Sequence, residues 1–226
     1  AVPAMISHHF STPVMDTLAA RLETPWLIFD EDTDAVVQEL KNVNEDHKLF
    51  VSDFASITNS PEVSNQQLAT DEIAYLTHTS GTTGIPKLIA HSAQSMGWRW
   101  VLQRTVMDWM PDKSSLLAFH ISPVHSRFNI GISSAMTFGF DLMPLSNLEK
   151  NTVLSMFEKY RPTAFETHPN HFVRLANVVK ETHEAFASIR YLHSTFDAIN
   201  KDTMHTFLAA SKEENPVFLQ IYGQSE

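Results

Sequence analysis

Cysteine is absent from the 226 residues. That excludes disulfides and thiol chemistry, and it fits a cytosolic enzyme. No apolar run reaches the length of about 18 residues that a membrane-spanning helix needs. The opening residues lack the basic start of a secretory signal, and there is no low-complexity tract or internal repeat. Basic residues are in the minority, with 16 Lys and Arg against 26 Asp and Glu, for a formal net charge of −10. With no basic patch visible, nucleic acid and anionic membrane are disfavoured as partners, because either would repel the chain. The 43% hydrophobic content is that of an ordinary soluble globular protein, and the length suffices for one sizeable core or two small ones.

The most informative run is Thr79-Ser80-Gly81-Thr82-Thr83-Gly84-Ile85-Pro86-Lys87, which gathers four hydroxyls, two glycines and a lysine. Glycines can turn successive N–H groups into one concavity and let an anion approach closely. The hydroxyls add uncharged donors, Lys87 a flexible cation, and Pro86 stiffens the exit. Strand-favouring residues flank the run, Ile73 to Thr77 before it and Leu88 to Ala90 after, so it reads as a loop between two strands. A Walker loop would need G-x-x-x-x-G-K-[ST] opening a helix, and the spacing here excludes it. Taken alone, the composition equally suits a plain Ser/Thr/Gly surface loop.

Downstream, strand and helix signals alternate. Residues 163–166 read as a strand; Pro169 opens a helix with Phe172, Leu175, Ala176 and Val179 on one face. Residues 189–193 form the next strand, Met204, Phe207 and Leu208 mark a helix, and 217–221 a third strand. Such a β-α-β-α-β run implies parallel strands with right-handed crossovers, and ligands then bind beyond the strands' carboxyl ends. Residues 1–6 read as a strand, 12–22 as a helix, 26–29 as a strand and 55–71 as a polar connecting loop. Residues 92–110 read as a helix that buries Met96, Trp100, Met107 and Met110.

Residues 75–92, YLTHTSGTTGIPKLIAHS, resemble the signature of the adenylate-forming superfamily of acyl-CoA synthetases, peptide-synthetase adenylation domains and luciferases. Gln220 to Glu226 is similar to that family's second nucleotide motif, Tyr-Gly-x-Thr-Glu, with Ser225 in place of Thr. The resemblance implies an α/β fold of mainly parallel sheets with flanking helices, a partial N-terminal domain of the adenylate-forming fold. Residues 1–70 would belong to a first α/β segment and 71–226 to the nucleotide- and acid-binding core. The ribose-binding aspartate, the hinge and the carboxy-terminal domain with its lysine would lie outside the chain, leaving it with weak or no turnover alone.

By the same resemblance, Thr79, Ser80, Gly81, Thr82, Thr83, Gly84 and Lys87 would hold ATP phosphates. Thr195, Phe196, Asp197, Tyr222, Gly223 and Ser225 would bind the adenylate, and Glu226 with Thr79 would bind Mg²⁺, a hard cation that wants oxygen ligands. Phe196 stands where the family has a small residue, so it either offers a stacking surface or blocks the pocket. Ala118-Phe119-His120-Ile121-Ser122 lies where amino-acid-activating domains have an aspartate that pairs with an α-ammonium. Histidine offers no permanent negative charge, so the expected substrate is a carboxylic acid without that group. His120 is the candidate catalytic residue, or else a hydrogen-bonded histidine with no role, and Phe119, His125 and His168 are further acid-pocket candidates. The histidine pairs 168/171 and 120/125 lack companion ligands for a zinc site. The implied activity is ATP-dependent adenylation of an acid, then thioester formation on CoA or a carrier-protein phosphopantetheine. An amino-acid adenylation domain and a nucleotide- or acid-binding module without turnover are the alternatives.

Overall fold

Short strand-forming runs alternate with amphipathic helices along the chain, and their contacts group it into two units, Ala1–Met96 and Gly97–Glu226. The computed structural model describes residues 1–56, 64, 67–79, 84–107 and 115–221, leaving aside the side chains of 106 and 107.

In the first unit, helix α1 (Thr12–Ala19) follows an extended Ser11 and has Pro13 in its first turn, where a missing N–H costs nothing. Its Met15 and Ala19 pack on Leu40 and Val43 in a small core. Strands β1 (Leu27–Phe29) and β2 (Lys48–Phe50) pair in parallel, with helix α2 (Asp34–Gln38) between them in sequence. Strands β3 (Ile73–His78) and β4 (Leu88–Ser92) pair antiparallel, so residues 79–87 do join two strands. Residues 1–6 do not form the expected strand. Only a bridge between Ala4 and Leu76 exists, flanked by hydrogen bonds from Leu76 N to Pro3 O and from Met5 N to Leu76 O. Pro3 has no N–H with which to extend the ladder. Of the polar stretch 55–71, residues 64 and 67–69 carry no regular structure, and 57–63, 65 and 66 lie outside the described residues.

Helix α3 (Ala93–Met107) corrects a second expectation, since Trp100 is 46% exposed. Trp98, Trp100, Val101 and Leu102 are all exposed. At about 100° per residue these four spread around the helix, so exposed apolar side chains are not confined to one side of it. Met110 lies outside the described residues.

The second unit holds five parallel strands in the order β6-β5-β7-β8-β9: β5 (Leu116–His120), β6 (Asp141–Pro144), β7 (Ala164–Thr167), β8 (Tyr191–Thr195) and β9 (Val217–Ile221). Alternation sends Ala118, Phe165 and Leu192 to one face, where they pack with helices α5 (Lys150–Tyr160), α6 (Pro169–Glu181) and α7 (Lys201–Ala210). All four apolar residues expected on the α6 stripe are buried. Five buried phenylalanines close a ring of tilted to edge-on contacts, 157 to 165 to 172 to 207 to 186 and back, with centroids 5.1–5.8 Å apart. Each such pair adds about 0.5–1.5 kcal/mol beyond area burial. Asn200 caps α7 by accepting from Thr203 N at 2.8 Å. On the other face lies α4 (Ser126–Phe138), whose Gly131 lets the Phe119 ring approach: an added Cβ would sit 2.7 Å from Phe119 Cζ.

Candidate active site

Two features carry the chemistry, one in each unit. In the first, the loop after β3 is pinned at its ends. Thr79 N donates to Lys87 O and Lys87 N donates to Thr79 Oγ1, both at 3.0 Å. His78 braces the same point: its Nε2 accepts from Ser7 N at 3.1 Å, so Nδ1 carries the proton and donates to Thr79 O at 2.9 Å. The Arg21 guanidinium donates to Pro86 O at 2.8 Å and fixes the exit. Gly84 has φ +151°, a region only glycine enters without strain, while an added Cβ would meet nothing within 4 Å. Glycine is required there by backbone conformation and not by space. Lys87 is exposed and forms no ion pair among the described residues. Ser80, Gly81, Thr82 and Thr83 lie outside the described residues.

In the second unit the strand order reverses direction between β5 and β7, one connection leading to β6 and the others to β8 and β9. This switch point is where open parallel sheets bind ligands. Histidines collect there. His120 Nδ1 donates to Leu145 O at 2.7 Å, so its neutral form presents Nε2 as an acceptor. The His120 ring lies 5.0 Å from that of His171, and His125 lies 5.5 Å from His168. Thr167 Oγ1 donates to His120 O at 3.1 Å and accepts from His171 Nδ1 at 3.0 Å. Burial, then repulsion from His125, His171 and His120, lowers the His168 pKa to about 4, so this ring is neutral near pH 7. Phe196 adopts φ +84°, strained for a residue with a Cβ, and stacks on His168 with centroids 4.3 Å apart. Beside it, the buried hydroxyls of Ser194 and Thr195 have no hydrogen-bond partner among the described residues. Asp197 is exposed, its Oδ1 accepting from Ala198 N. Tyr222, Gly223, Ser225 and Glu226 lie outside the described residues.

A buried ionic network occupies the α4 face of the same sheet. Glu166, 1% exposed, accepts from Arg127 Nε at 2.5 Å and Nη2 at 2.8 Å, a two-point fork. Arg127 Nη1 also donates to Gln103 Oε1, and His193 Nδ1 lies 3.1 Å from both Arg127 Nη2 and Glu166 Oε2. Burial pushes the Glu166 carboxyl up, but Arg127 and His193 outweigh it and hold it well below the usual carboxylate range. Among the described residues no three His, Asp or Glu side chains gather as a metal site, and no helix is long and apolar enough to cross a membrane.

Residues 3–226 match the family of AMP-binding enzymes. The chain belongs to that family. Among curated proteins it is 28% identical to a 3-amino-2-hydroxy-4-methoxybenzoate diazotase from Streptomyces cremeus, over 100% of this chain and 46% of that protein. It is 24% identical to a 4-chlorobenzoate–CoA ligase from a Pseudomonas species, over 100% of the chain and 43% of the relative. The chain thus spans a little under half the length of these relatives. A long-chain-fatty-acid-CoA ligase from Archaeoglobus fulgidus superposes with a TM-score of 0.84 at 14% identity, over 100% of the chain and 48% of that structure. The fold is that of the N-terminal part of adenylate-forming enzymes.

For an AMP-binding enzyme, the structure groups His120, His125, His168 and Phe196 as a cluster and leaves Phe119 out. Phe119, 3% exposed, points to the α4 face, where it packs under Gly131 and against Phe128 at 5.9 Å. The alternation of β5 sends it away from its neighbour His120. Reading the sequence missed Arg21, His78, Arg127, Gln103 and His193. The one available signal was Glu166, a carboxylate among buried strand residues that needs a cation somewhere.

Proposed function

We propose that the protein activates a carboxylic acid without an α-ammonium group by transferring AMP to it, and then passes the acyl group to a thiol. The acid carboxylate attacks the α-phosphorus of ATP, pyrophosphate leaves, and the thiol sulfur of CoA or a carrier-protein phosphopantetheine displaces AMP from the acyl carbon. The observation that carries the substrate class is His120 at the end of β5, its Nδ1 proton committed to Leu145 O. Its free Nε2 lone pair carries no negative charge with which to hold an ammonium, which speaks against amino-acid activation. The names of the Streptomyces and Pseudomonas relatives, both built on a benzoate, support an aryl acid.

The residues present fit a nucleotide triphosphate. Lys87, exposed and without an ion pair among the described residues, the hydroxyl-rich loop and the glycine-only conformation at Gly84 suit an anion, and the buried Thr195 hydroxyl, without a partner among the described residues, suits a polar adenylate group. Ser80, Gly81, Thr82 and Thr83 would complete the phosphate grip, with Asp197, Tyr222, Gly223 and Ser225 on the adenylate side. Thr79 and Glu226 would hold Mg²⁺, which would neutralise phosphate charge. Within the second unit Phe196 and His168 stack, with His125 against Phe196 at 4.8 Å.

ATP–pyrophosphate exchange by the full protein tests the reading against a panel of aryl, fatty and amino acids. Aryl acids should support exchange and amino acids should not, and Lys87→Ala should weaken ATP binding roughly 10–100-fold, as expected for losing a charged hydrogen bond of about 1.5–3 kcal/mol. Exchange driven only by amino acids, or by no acid, would overturn it. Because one relative is named a diazotase and not a CoA ligase, AMP release that depends on added thiol decides the second step.

A further inference from the structure

Between α4 and the sheet lies a recess of about 40 Å³, room for roughly two or three water-sized groups. Its sheet side is two cross-strand rows. Leu117, Ala164, Tyr191 and Val217 form the row nearer the strands' amino ends, where the lining is largely apolar. Glu166 and His193 belong to the next row, one register position before the row of His120, Thr167 and Ser194. Arg127 and Gln103 close the recess at that polar level.

His193 cannot satisfy itself there. Its Nδ1 is engaged by the Arg127–Glu166 pair, which prevents the ring from turning, and its buried Nε2 has no hydrogen-bond partner among the described residues. Leaving such an atom unpaired costs about 1–3 kcal/mol, and buried polar atoms of this kind call for an explanation. Arg127 can only donate, and a bare Nδ1 lone pair 3.1 Å from the Glu166 carboxylate would repel it, so the Nδ1 proton points to Glu166. In the neutral ring that leaves Nε2 as a lone-pair acceptor for an O–H or N–H group.

We propose that His193 is a specificity-determining residue: it accepts a hydrogen bond from a hydroxyl or amino substituent of the acid, which enters this recess when the acid binds. The substrate is then a carboxylic acid bearing such a donor, and a plain hydrocarbon acid is discriminated against. Arg127 and Glu166 act through His193 as positioning residues. This inference rests on the adenylation reading above.

The test is exchange by the full protein with matched aryl acids that differ only by hydroxyl or amino against methyl, moved around the ring. At one ring position the donor-bearing acid should win in kcat/KM by about 10–100-fold, the size expected when the methyl analogue leaves Nε2 unpaired. In His193→Phe that preference should fall below about threefold, the level of one weak packing difference. His193→Gln, whose carbonyl still accepts, should keep a clear preference and guards against a folding failure of the Phe variant. Exchange with every pair inside threefold, or a preference that survives His193→Phe, overturns the assignment of His193 while leaving adenylation intact. Exchange with no acid at all overturns the adenylation reading and this inference with it.

Discussion

Arg127→Met should be among the most damaging single substitutions in the second unit. It keeps the side chain's length and apolar stem and deletes only the fork that meets Glu166 at 2.5 and 2.8 Å. The carboxylate that remains is 1% exposed and has lost its main counter-charge. Breaking a buried pair from one side costs about 3–5 kcal/mol. Two hydrogen bonds to a charged group, at about 1.5–3 kcal/mol each, give the same scale. Urea denaturation followed by circular dichroism at pH 7 reads this directly, and a thermal midpoint should fall by roughly 2–4 °C per kcal/mol.

The pH dependence separates lost charge from lost packing. In the wild type the Glu166 carboxyl is held below its ordinary value of 4.5, so its stabilisation is fully present above that pH and drains away as pH falls through the depressed folded value. In Arg127→Met only His193 opposes burial, so the carboxyl titrates higher than in the wild type. The variant therefore recovers as Glu166 takes up a proton, and the gap between the two proteins narrows from pH 7 to pH 5. Adding Glu166→Leu should restore stability to within about 1 kcal/mol, because apolar replacement of a buried pair is often neutral or better. A loss below about 1 kcal/mol, or a gap of equal size at both pH values, would refute the reasoning.

Gly131→Ala should destabilise despite the better helix propensity of alanine. The new Cβ meets Phe119 Cζ at 2.7 Å, and overpacking of about 1–3 kcal/mol exceeds the roughly 1 kcal/mol gained from propensity. Adding Phe119→Leu should return most of the loss in the same melts, and failure to do so would assign the cost elsewhere. His168 titrates lower in the folded chain than unfolded, about 4 against 6.5, so the unfolded state binds more protons across that window. Stability should accordingly fall as pH drops from 6.5 to 4, by about 1–2 kcal/mol after discounting partial exposure. His168→Phe should flatten the slope, and an unchanged slope would rule out His168 as its source.

Much of the architecture can be read from local spacing. Phe172, Leu175, Ala176 and Val179 recur at helical intervals and are all buried on α6, and the strand-loop-strand form of residues 73–92 follows from the residues that flank the glycines. Those features depend on neighbours within a turn or a pleat, which sequence periodicity encodes. Residues 1–6 escaped it because Leu76, their one pairing partner among the described residues, lies far along the chain and Pro3 limits the ladder to one bridge. On α3 the helical spacing does put Met96 and Trp100 on one side, but Trp100 is 46% exposed: whether a face finds a covering element is a matter of tertiary packing, which spacing does not encode.

Membership of the AMP-binding family was legible from residues 75–92 and 220–226 alone, since a run of fixed local chemistry needs no fold to be recognised. Tertiary structure decided which long-range partners meet. It brought Arg127 to Glu166 across 39 residues, His193 to Arg127 across 66, and Arg21 to Pro86 across 65. It also turned Phe119 away from His120. Parallel strands joined by crossovers place such residues side by side through sheet order and register, and neither is written in the spacing of any one segment.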